Sequence, residues 1–195
     1  MTETNNRFTI IFIKPDAIND GLVESIVSDF VEAGLKFIHL KPIELTLEQA
    51  TLIYKDHVDS LNFKFAIDSL VREGECKTVL FLLAKREEGD ALSIAQQTKG
   101  RADVSGIRAK YRRYLREDLT KKGIEGDGLK TLLSRNRLHI PDSNEHVCEI
   151  MEMVLKPEEL GVLMKLDPEF RSFIENFQQS KNIESGRNNL GKERI

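Results

Sequence analysis

With 195 residues, 40% of them hydrophobic and 31% charged, the chain has apolar mass for one ordinary domain plus an extension, and charge for a soluble surface. No stretch approaches the roughly 20 apolar residues of a membrane span, and a net charge of −3 argues against a protein built as a whole to embrace nucleic acid. Two cysteines, Cys76 and Cys148, form no disulfide framework and fall in no metal-ligand pattern, which points to a reducing, cytoplasmic compartment.

Phe8 to Ile13 is β-branched and aromatic and stops at Lys14-Pro15, so it reads as a buried strand and not as a signal peptide. Asp20 can cap a helix whose Leu22, Val23, Ile26, Val27 and Phe30 share one face, and Gly34 ends it. Residues 36–45 are a second strand. Thr46 with Gln49 has the capping-box form and predicts a helix from Leu47 toward His57. A short helix over 61–72 follows. The apolar run within 77–84 is a third, central strand, and 87–97 reads as a helix.

Charge then becomes local. Between Arg101 and Arg137, 11 Lys or Arg stand against five Asp or Glu, so this segment carries +6 and the remainder −9. Such a segment suits a compact anion such as a polyphosphate, although on charge alone a solvated, salt-bridged helix face is the favoured reading. Arg112, Arg113 and Arg116 fall on helical spacing, and Gly123, Gly126 and Gly128 mark a turn. Asp142 with Glu145 opens a helix just beyond His139, and the apolar residues 150–155 form a fourth strand. The alternation of strands and helices gives an α+β sandwich with a split βαβ arrangement and a mainly antiparallel sheet. Asp167-Pro168 then opens a helix with Phe170, Phe173, Ile174 and Phe177 on one face. From Gln178 the chain is polar enough for a disordered tail.

Among the four histidines, His39 sits in a strand alternation, His57 ends a helix, and His146 lies on an exposed-looking helix turn. None has a partner at zinc-ligand spacing. His139 precedes a helix N-terminus, whose free N–H groups favour phosphate. A neutral imidazole there is a competent nucleophile. Lys14, held at a strand end by Pro15, can project into a site beside the sheet. No Gly-x-x-x-x-Gly-Lys-Ser/Thr loop exists, which disfavours a P-loop kinase.

Together these pieces resemble the nucleoside diphosphate kinase family. The run Phe12-Ile13-Lys14-Pro15-Asp16-Ala17 followed by Gly21-Leu22-Val23 is close to the family's opening. Asn136, His139, Asp142 and Ser143 match its active-site signature, Gly106-Ile107-Arg108 its Gly-Thr-Ile-Arg, and Pro157-Glu158-Glu159-Leu160 a run near its C-terminus. The resemblance implies a ferredoxin-like βαββαβ domain with an antiparallel four-stranded sheet over 1–160, and a C-terminal helix and disordered tail over 161–195. It implies a ping-pong transfer between nucleoside triphosphates and diphosphates through His139 phosphorylated on Nδ1. Lys14 and Arg108 would steady the phosphate charge, Tyr54 would lie near the phosphates, and Asn136 would contact the sugar. Asp142 and Ser143 would support the site, as would Glu149 if one residue is deleted. Mg²⁺ would be held by the nucleotide phosphates rather than by the protein, and the family pattern is a homo-oligomer.

The departures from that pattern are specific. Ile140-Pro141 stands where the family has Gly-Ser, so the serine that supports the histidine is missing. The base-stacking phenylalanine falls at Asn62, beside Phe63. A second phosphate-binding arginine falls near Gln96 or Gln97, and a threonine near Ala102. The stretch from Arg108 to His139 is lengthened, and its Arg112, Arg113, Arg116, Lys121 and Lys122 are available to replace lost phosphate contacts. The loop after Gly100 is shortened. These departures leave a non-catalytic nucleotide- or protein-binding domain as the alternative, and a nucleic-acid-binding module as a weaker one.

Overall fold

The computed structural model describes residues 6–71, 78–101 and 104–190, with side chains described as far as Lys181. The first part of the chain runs β1 (Phe8–Ile13), α1 (Pro15–Asn19), α2 (Val23–Glu32), β2 (Lys36–Glu44), α3 (Leu47–Ile53) and α4 (Phe63–Val71), with a single 3-10 turn at Lys55–His57. Then come β3 (Thr78–Lys85), α5 (Ala91–Lys99), α6 (Gly106–Lys110), α7 (Arg116–Lys121), α8 (Gly126–Leu133) and β4 (Leu138–His139). Three helices close the chain: α9 (Asn144–Val154), α10 (Pro157–Leu166) and α11 (Pro168–Leu190).

The sheet order is β2-β3-β1-β4, and every pairing is antiparallel. This is the ferredoxin-like βαββαβ arrangement. Every residue of β1 is buried, because it has strands on both sides and helices on its faces. β3 is likewise interior, as its apolar run suggests. Pro42, which has no N–H to donate, lies in the edge strand β2. His39 is also in β2, its ring 6.4 Å from that of Phe81, a packing role.

The described chain falls into two compact units, Met1–Asn144 and Glu145–Ile195. Motif matching divides it differently, at residue 160, because a motif's extent follows sequence similarity and a compact unit follows contacts. In the second unit Lys181 reaches Glu152 at 3.1 Å. Asp167 caps α11 by accepting from the N–H of Glu169 and Phe170 at 2.9 and 3.1 Å. Burial, with Glu152 nearby, pushes the Cys148 thiol up to about 12, a value that makes it an inert core residue.

Several sequence expectations are corrected. Residues 150–155 do not form a strand: Val147, Ile150, Met151 and Val154 recur at i, i+3, i+4 and i+7 and are buried on α9. The fourth strand is instead Leu138–His139, two residues long and too short to show an alternation. His146 is 2% exposed rather than on the surface. Asp20 does not cap α2, whose first residue follows Leu22; its carboxylate is taken by Arg137. α11 continues through Leu190, past the start of the expected disordered tail. Phe170, Ile174 and Phe177 are buried and anchor the first turns, after which adding residues to an existing helix costs little. The ends of the expected elements at Arg72 and Lys77, with Cys76, lie outside the described residues.

One close approach sets the distance between α5 and α6. Gly100 and Gly106 both have positive φ, 66° and 68°. A Cβ on Gly100 would meet the Ser105 carbonyl oxygen at 2.1 Å, and one on Gly106 would meet the Thr98 carbonyl oxygen at 2.5 Å. Only glycine lets the two backbones cross so tightly. Gly106→Ala should therefore destabilise the protein by about 2 kcal/mol or more, from backbone strain and steric overlap together. A thermal melt beside Gly123→Ala, where the space is open, checks this; equal losses would mean that strain without the crossing explains the effect.

Candidate active site

The site begins where β1 ends. The Lys14 backbone N–H donates to the Arg137 carbonyl at 2.8 Å, which continues the β1–β4 ladder past Ile13↔Leu138. Pro15 fixes the first turn of α1 directly after it. The Lys14 side chain is 1% exposed, and its Nζ donates to Ser69 Oγ, Ser134 O and Asn136 Oδ1 at 2.9, 3.1 and 3.0 Å. All three ammonium hydrogens thus have acceptors, and each acceptor is neutral. The charge is solvated but not cancelled, a setting that favours an anionic ligand.

Arg137 is a cation of the opposite kind. It is 3% exposed and carries φ +74°, a conformation rarely adopted by residues other than glycine. Its Nη1 reaches Asp16 Oδ2 at 3.3 Å, Asp20 Oδ2 at 2.7 Å and the Asp16 carbonyl at 3.1 Å, while Nε donates to the Tyr111 carbonyl. The two carboxylates neutralise it, and the bonds tie α1 to the segment that carries Asn136 and His139.

His139 lies in β4 opposite Phe12 and is 4% exposed. Tyr54, at the C-cap of α3, tilts over it with ring centroids 4.4 Å apart, and Lys14 Nζ lies 5.7 Å from the tyrosine ring centre. Arg108 comes from α6, half-buried, and its Nη2 donates to the Leu138 carbonyl at 3.1 Å, one residue before the histidine. Burial lowers its pKa, and Tyr54 and Asp142 partly oppose that shift. A guanidinium nevertheless stays protonated. Its buried Nε has no hydrogen-bond partner among the described residues.

A cleft of about 200 Å³ gathers four of the expected site residues, and His139 lies behind Tyr54 rather than in its lining. Lys14, Tyr54, Arg108 and Asn136 all line it, with Asn62, Phe65 and Ala66 on the α4 side and Arg116, Lys130, Leu133 and Ser134 from the lengthened segment. Of the supporting residues, Asp142 is exposed and pairs with His57 at 2.9 Å. Ser143 is also exposed. Glu149 stands on α9, in the second unit. Gln96 does not take the place of a phosphate-binding arginine. Its Nε2 donates to the Pro141 carbonyl and, at 3.3 Å, to Ile140 O and Asp142 Oδ1, so it pins the residues that replace Gly-Ser. Phe65, not Phe63, is the phenylalanine in the cleft wall. The position near Ala102 lies outside the described residues.

Lys99 was not legible as a site residue. It ends α5, is 9% exposed, and carries a pKa lowered to about 8. Burial is the main cause; repulsion from Arg108 and Lys14 adds to it, and Asp142 opposes it. It therefore stands within electrostatic reach of both phosphate-binding candidates. The signal that can find it is a basic residue at the C-terminus of the helix that ends in Gly100, three residues past Gln96.

Residues 7–160 match the family model described as nucleoside diphosphate kinase. The chain belongs to the nucleoside diphosphate kinase family. A nucleoside diphosphate kinase from Pyrococcus horikoshii is 30% identical over 162 residues, covering 82% of this chain and 90% of the relative. One from Thermococcus kodakarensis is 29% identical, covering 82% and 83%. Among solved structures, the nucleoside diphosphate kinase of Borrelia burgdorferi, in a transition-state mimic with vanadate and ADP, superposes with a TM-score of 0.61 at 18% identity, covering 78% of this chain and 89% of that one. The apo enzyme of Encephalitozoon cuniculi gives 0.60 at 19% identity, covering 79% and 92%. At these identities the structural likeness speaks for the fold. No helix among the described residues is long and apolar enough to cross a membrane.

Arg137→Met removes one partner of a buried ion cluster and leaves Asp16 facing a low-dielectric interior. It should cost about 3–5 kcal/mol, read as a lower urea midpoint at unchanged slope. A loss below about 1 kcal/mol, the range of an exposed pair, would show that the cluster is not a structural tie.

Proposed function

We propose that this protein is an active nucleoside diphosphate kinase that works through phosphorylated His139. The observation that carries this reading is the convergence of Lys14, Tyr54, Arg108 and Asn136 on one cleft beside the histidine. A ring nitrogen of His139, Nδ1 on the family pattern, attacks the γ-phosphorus of a nucleoside triphosphate. An N–P bond forms, the P–O bond to the β-phosphate breaks, and a nucleoside diphosphate leaves. A second nucleoside diphosphate then attacks with a terminal phosphate oxygen, the N–P bond breaks, and the imidazole returns neutral.

The protein's part is positioning and charge stabilisation. Lys14 brings a positive charge that its neutral partners leave available, and Arg108 brings a second with a free Nε. Lys99 serves in place of the missing arginine. Tyr54 restricts the histidine ring, and Asn136, already bonded to Lys14, faces the sugar. Phe65 and Ala66 give the base an apolar wall. Among the described residues no group of three or more His, Cys, Asp or Glu gathers to hold a metal. The ammonium, guanidinium and amide groups around the cleft suit a substrate that arrives as its Mg²⁺ complex, with the ion on the phosphates. The protein acts in the cytoplasm and as a homo-oligomer; exposed Leu40 on the edge strand β2 and Val31 nearby in sequence support association.

Incubation with Mg²⁺ and γ-labelled ATP should place acid-labile label on the chain, and added nucleoside diphosphate should chase it off. His139→Ala should lower exchange by about a thousandfold or more while the fold persists, since nucleophile removal abolishes the covalent route. Exchange that survives in this variant rules out the phosphohistidine.

Lys99 gives a pH signature. Its lowered value means that the free enzyme loses this charge as pH rises through about 8. Below that the ammonium is present and attracts phosphate; above it kcat/KM should fall, since this ratio reports the free enzyme's ionisations. Lys99→Arg should hold the alkaline limb flat to higher pH, and Lys99→Met should flatten it at a lower plateau. An unmoved limb in both variants removes Lys99 from the phosphate site. The same shift has a stability sign: the cost of burying this charge is full below about pH 8 and fades toward 10.5, where the unfolded chain also loses the proton.

A further inference from the structure

Asp142 is a carboxylate set among cations that it does not join. Its Oδ2 accepts from His57 Nε2 at 2.9 Å and its Oδ1 from Gln96 Nε2 at 3.3 Å. Lys99 stands three residues beyond Gln96 on α5, a spacing that shares a helix face, and Arg108 bonds the carbonyl of Leu138, four residues before Asp142. Both cations feel the Asp142 charge. A carboxylate so placed pairs with an ammonium or a guanidinium by default, since charge-assisted bonds are the strong ones. Here both oxygens are instead taken by an imidazole and an amide, and among the described residues neither cation is bonded to the carboxylate.

The two donors are anchored independently of the carboxylate. Gln96 Nε2 also donates to the Pro141 carbonyl and, at 3.3 Å, to the Ile140 carbonyl, so the amide is fixed on the turn that carries Asp142. His57 ends the 3-10 turn that follows Tyr54, its backbone N–H bonded to the Tyr54 carbonyl at 2.9 Å and its ring 6.3 Å from the tyrosine ring. The His57 and Asp142 side chains are 47% and 45% exposed, a setting in which an ion pair adds little to stability. The worth of the pair therefore lies in where it keeps the carboxylate. We propose that His57 and Gln96 are positioning residues: they clamp Asp142 and keep it from neutralising Lys99 and Arg108, which leaves both charges for the phosphates of the substrate. The clamp rests on the reading of Lys99 and Arg108 as phosphate-binding cations, as argued above. It also joins two departures from the family pattern, because the residues that replace an arginine near Gln96 and a serine at Pro141 are bonded to each other.

ADP binding by calorimetry and steady-state phosphate exchange test this at fixed salt. His57→Phe keeps a ring beside Tyr54 and removes the donor, and Gln96→Met keeps the length of the side chain without its amide. With both changes Asp142 is free to turn to Lys99 or Arg108. The Kd for ADP and the KM for the diphosphate should then each rise by about tenfold, the loss of one charge-assisted contact, while kcat changes by less than about threefold. Adding Asp142→Asn should bring both constants back to within about threefold of the unaltered protein, because a carboxamide lacks the charge that silences the cations. His57→Phe alone leaves every Gln96 bond in place. It should show a smaller rise with the same recovery by Asp142→Asn, so the test stands even where the double variant folds poorly. Three results overturn the proposal. One is unchanged ADP affinity in the double variant; another is a loss that Asp142→Asn does not recover, the mark of a direct phosphate contact or a packing defect. The third is ADP failing to bind the unaltered protein, in which case the nucleotide reading of the cleft falls too; in the first two it stands.

Discussion

The bond between Arg137 and the two carboxylates of α1 is the constraint on which the site depends. Arg137 sits between Asn136 and Leu138 in a left-handed conformation that costs roughly 1–2 kcal/mol. That turn lets Asn136 bend toward Lys14 while Leu138 and His139 pair with β1. Asp16 and Asp20 hold the arginine against this strain from the other side, and the Tyr111 carbonyl takes its remaining edge. One buried guanidinium therefore joins the turn after β1, the strand with the histidine and the start of the lengthened segment. If this tie is lost, Lys14, Asn136 and His139 lose their common frame.

Two classes of cation follow from the same residues. Arg137 is matched by carboxylates and has no charge to lend. The hydrogen-bond acceptors of Lys14 and Arg108 are neutral, and Lys99 is repelled by both, while Asp142 opposes the lowering of both Lys99 and Arg108. Folding has separated structural from available charge within a few residues. The lowered pKa of Lys99 is the cost of that separation: burial beside like charge is unfavourable until an anion arrives. The tight crossing of Gly100 and Gly106 makes it possible, because it brings the end of α5, with Lys99, against the start of α6, the helix of Arg108.

Much of this was legible in the sequence, and the gaps have physical causes. β1 could be read from its unbroken β-branched and aromatic run, α2 from its helical periodicity, and Thr46 capped α3 as expected, with Gln49 returning to its backbone N–H at 2.9 Å. β4 could not be read, since two residues paired across a sheet leave no pattern of their own. The run at 150–155 misled because apolar residues i, i+3 and i+4 apart look continuous when polar residues between them are few. Lys14, Tyr54, Arg108 and Asn136 were found by motif, and the structure brings them to one cleft. Lys99 was missed because its partners are distant in sequence and arrive only when the two glycines cross. Arg137 was invisible for the same reason: nothing local marks Asp16 and Asp20 as its counterions.

The lengthened segment is the other feature whose sequence reading was incomplete. Read as charge, its basic residues look like a solvated face. In the folded chain it builds a wall of the cleft: the Ser134 carbonyl accepts one of the three Lys14 hydrogens, and Leu133, Lys130 and Arg116 line it, with Lys130 Nζ 5.4 Å over the Phe65 ring of α4. Lys14 would lack an acceptor, and the cleft a wall, without α8. The segment is therefore continuous with the frame around His139, and a change in its packing would be felt at Lys14.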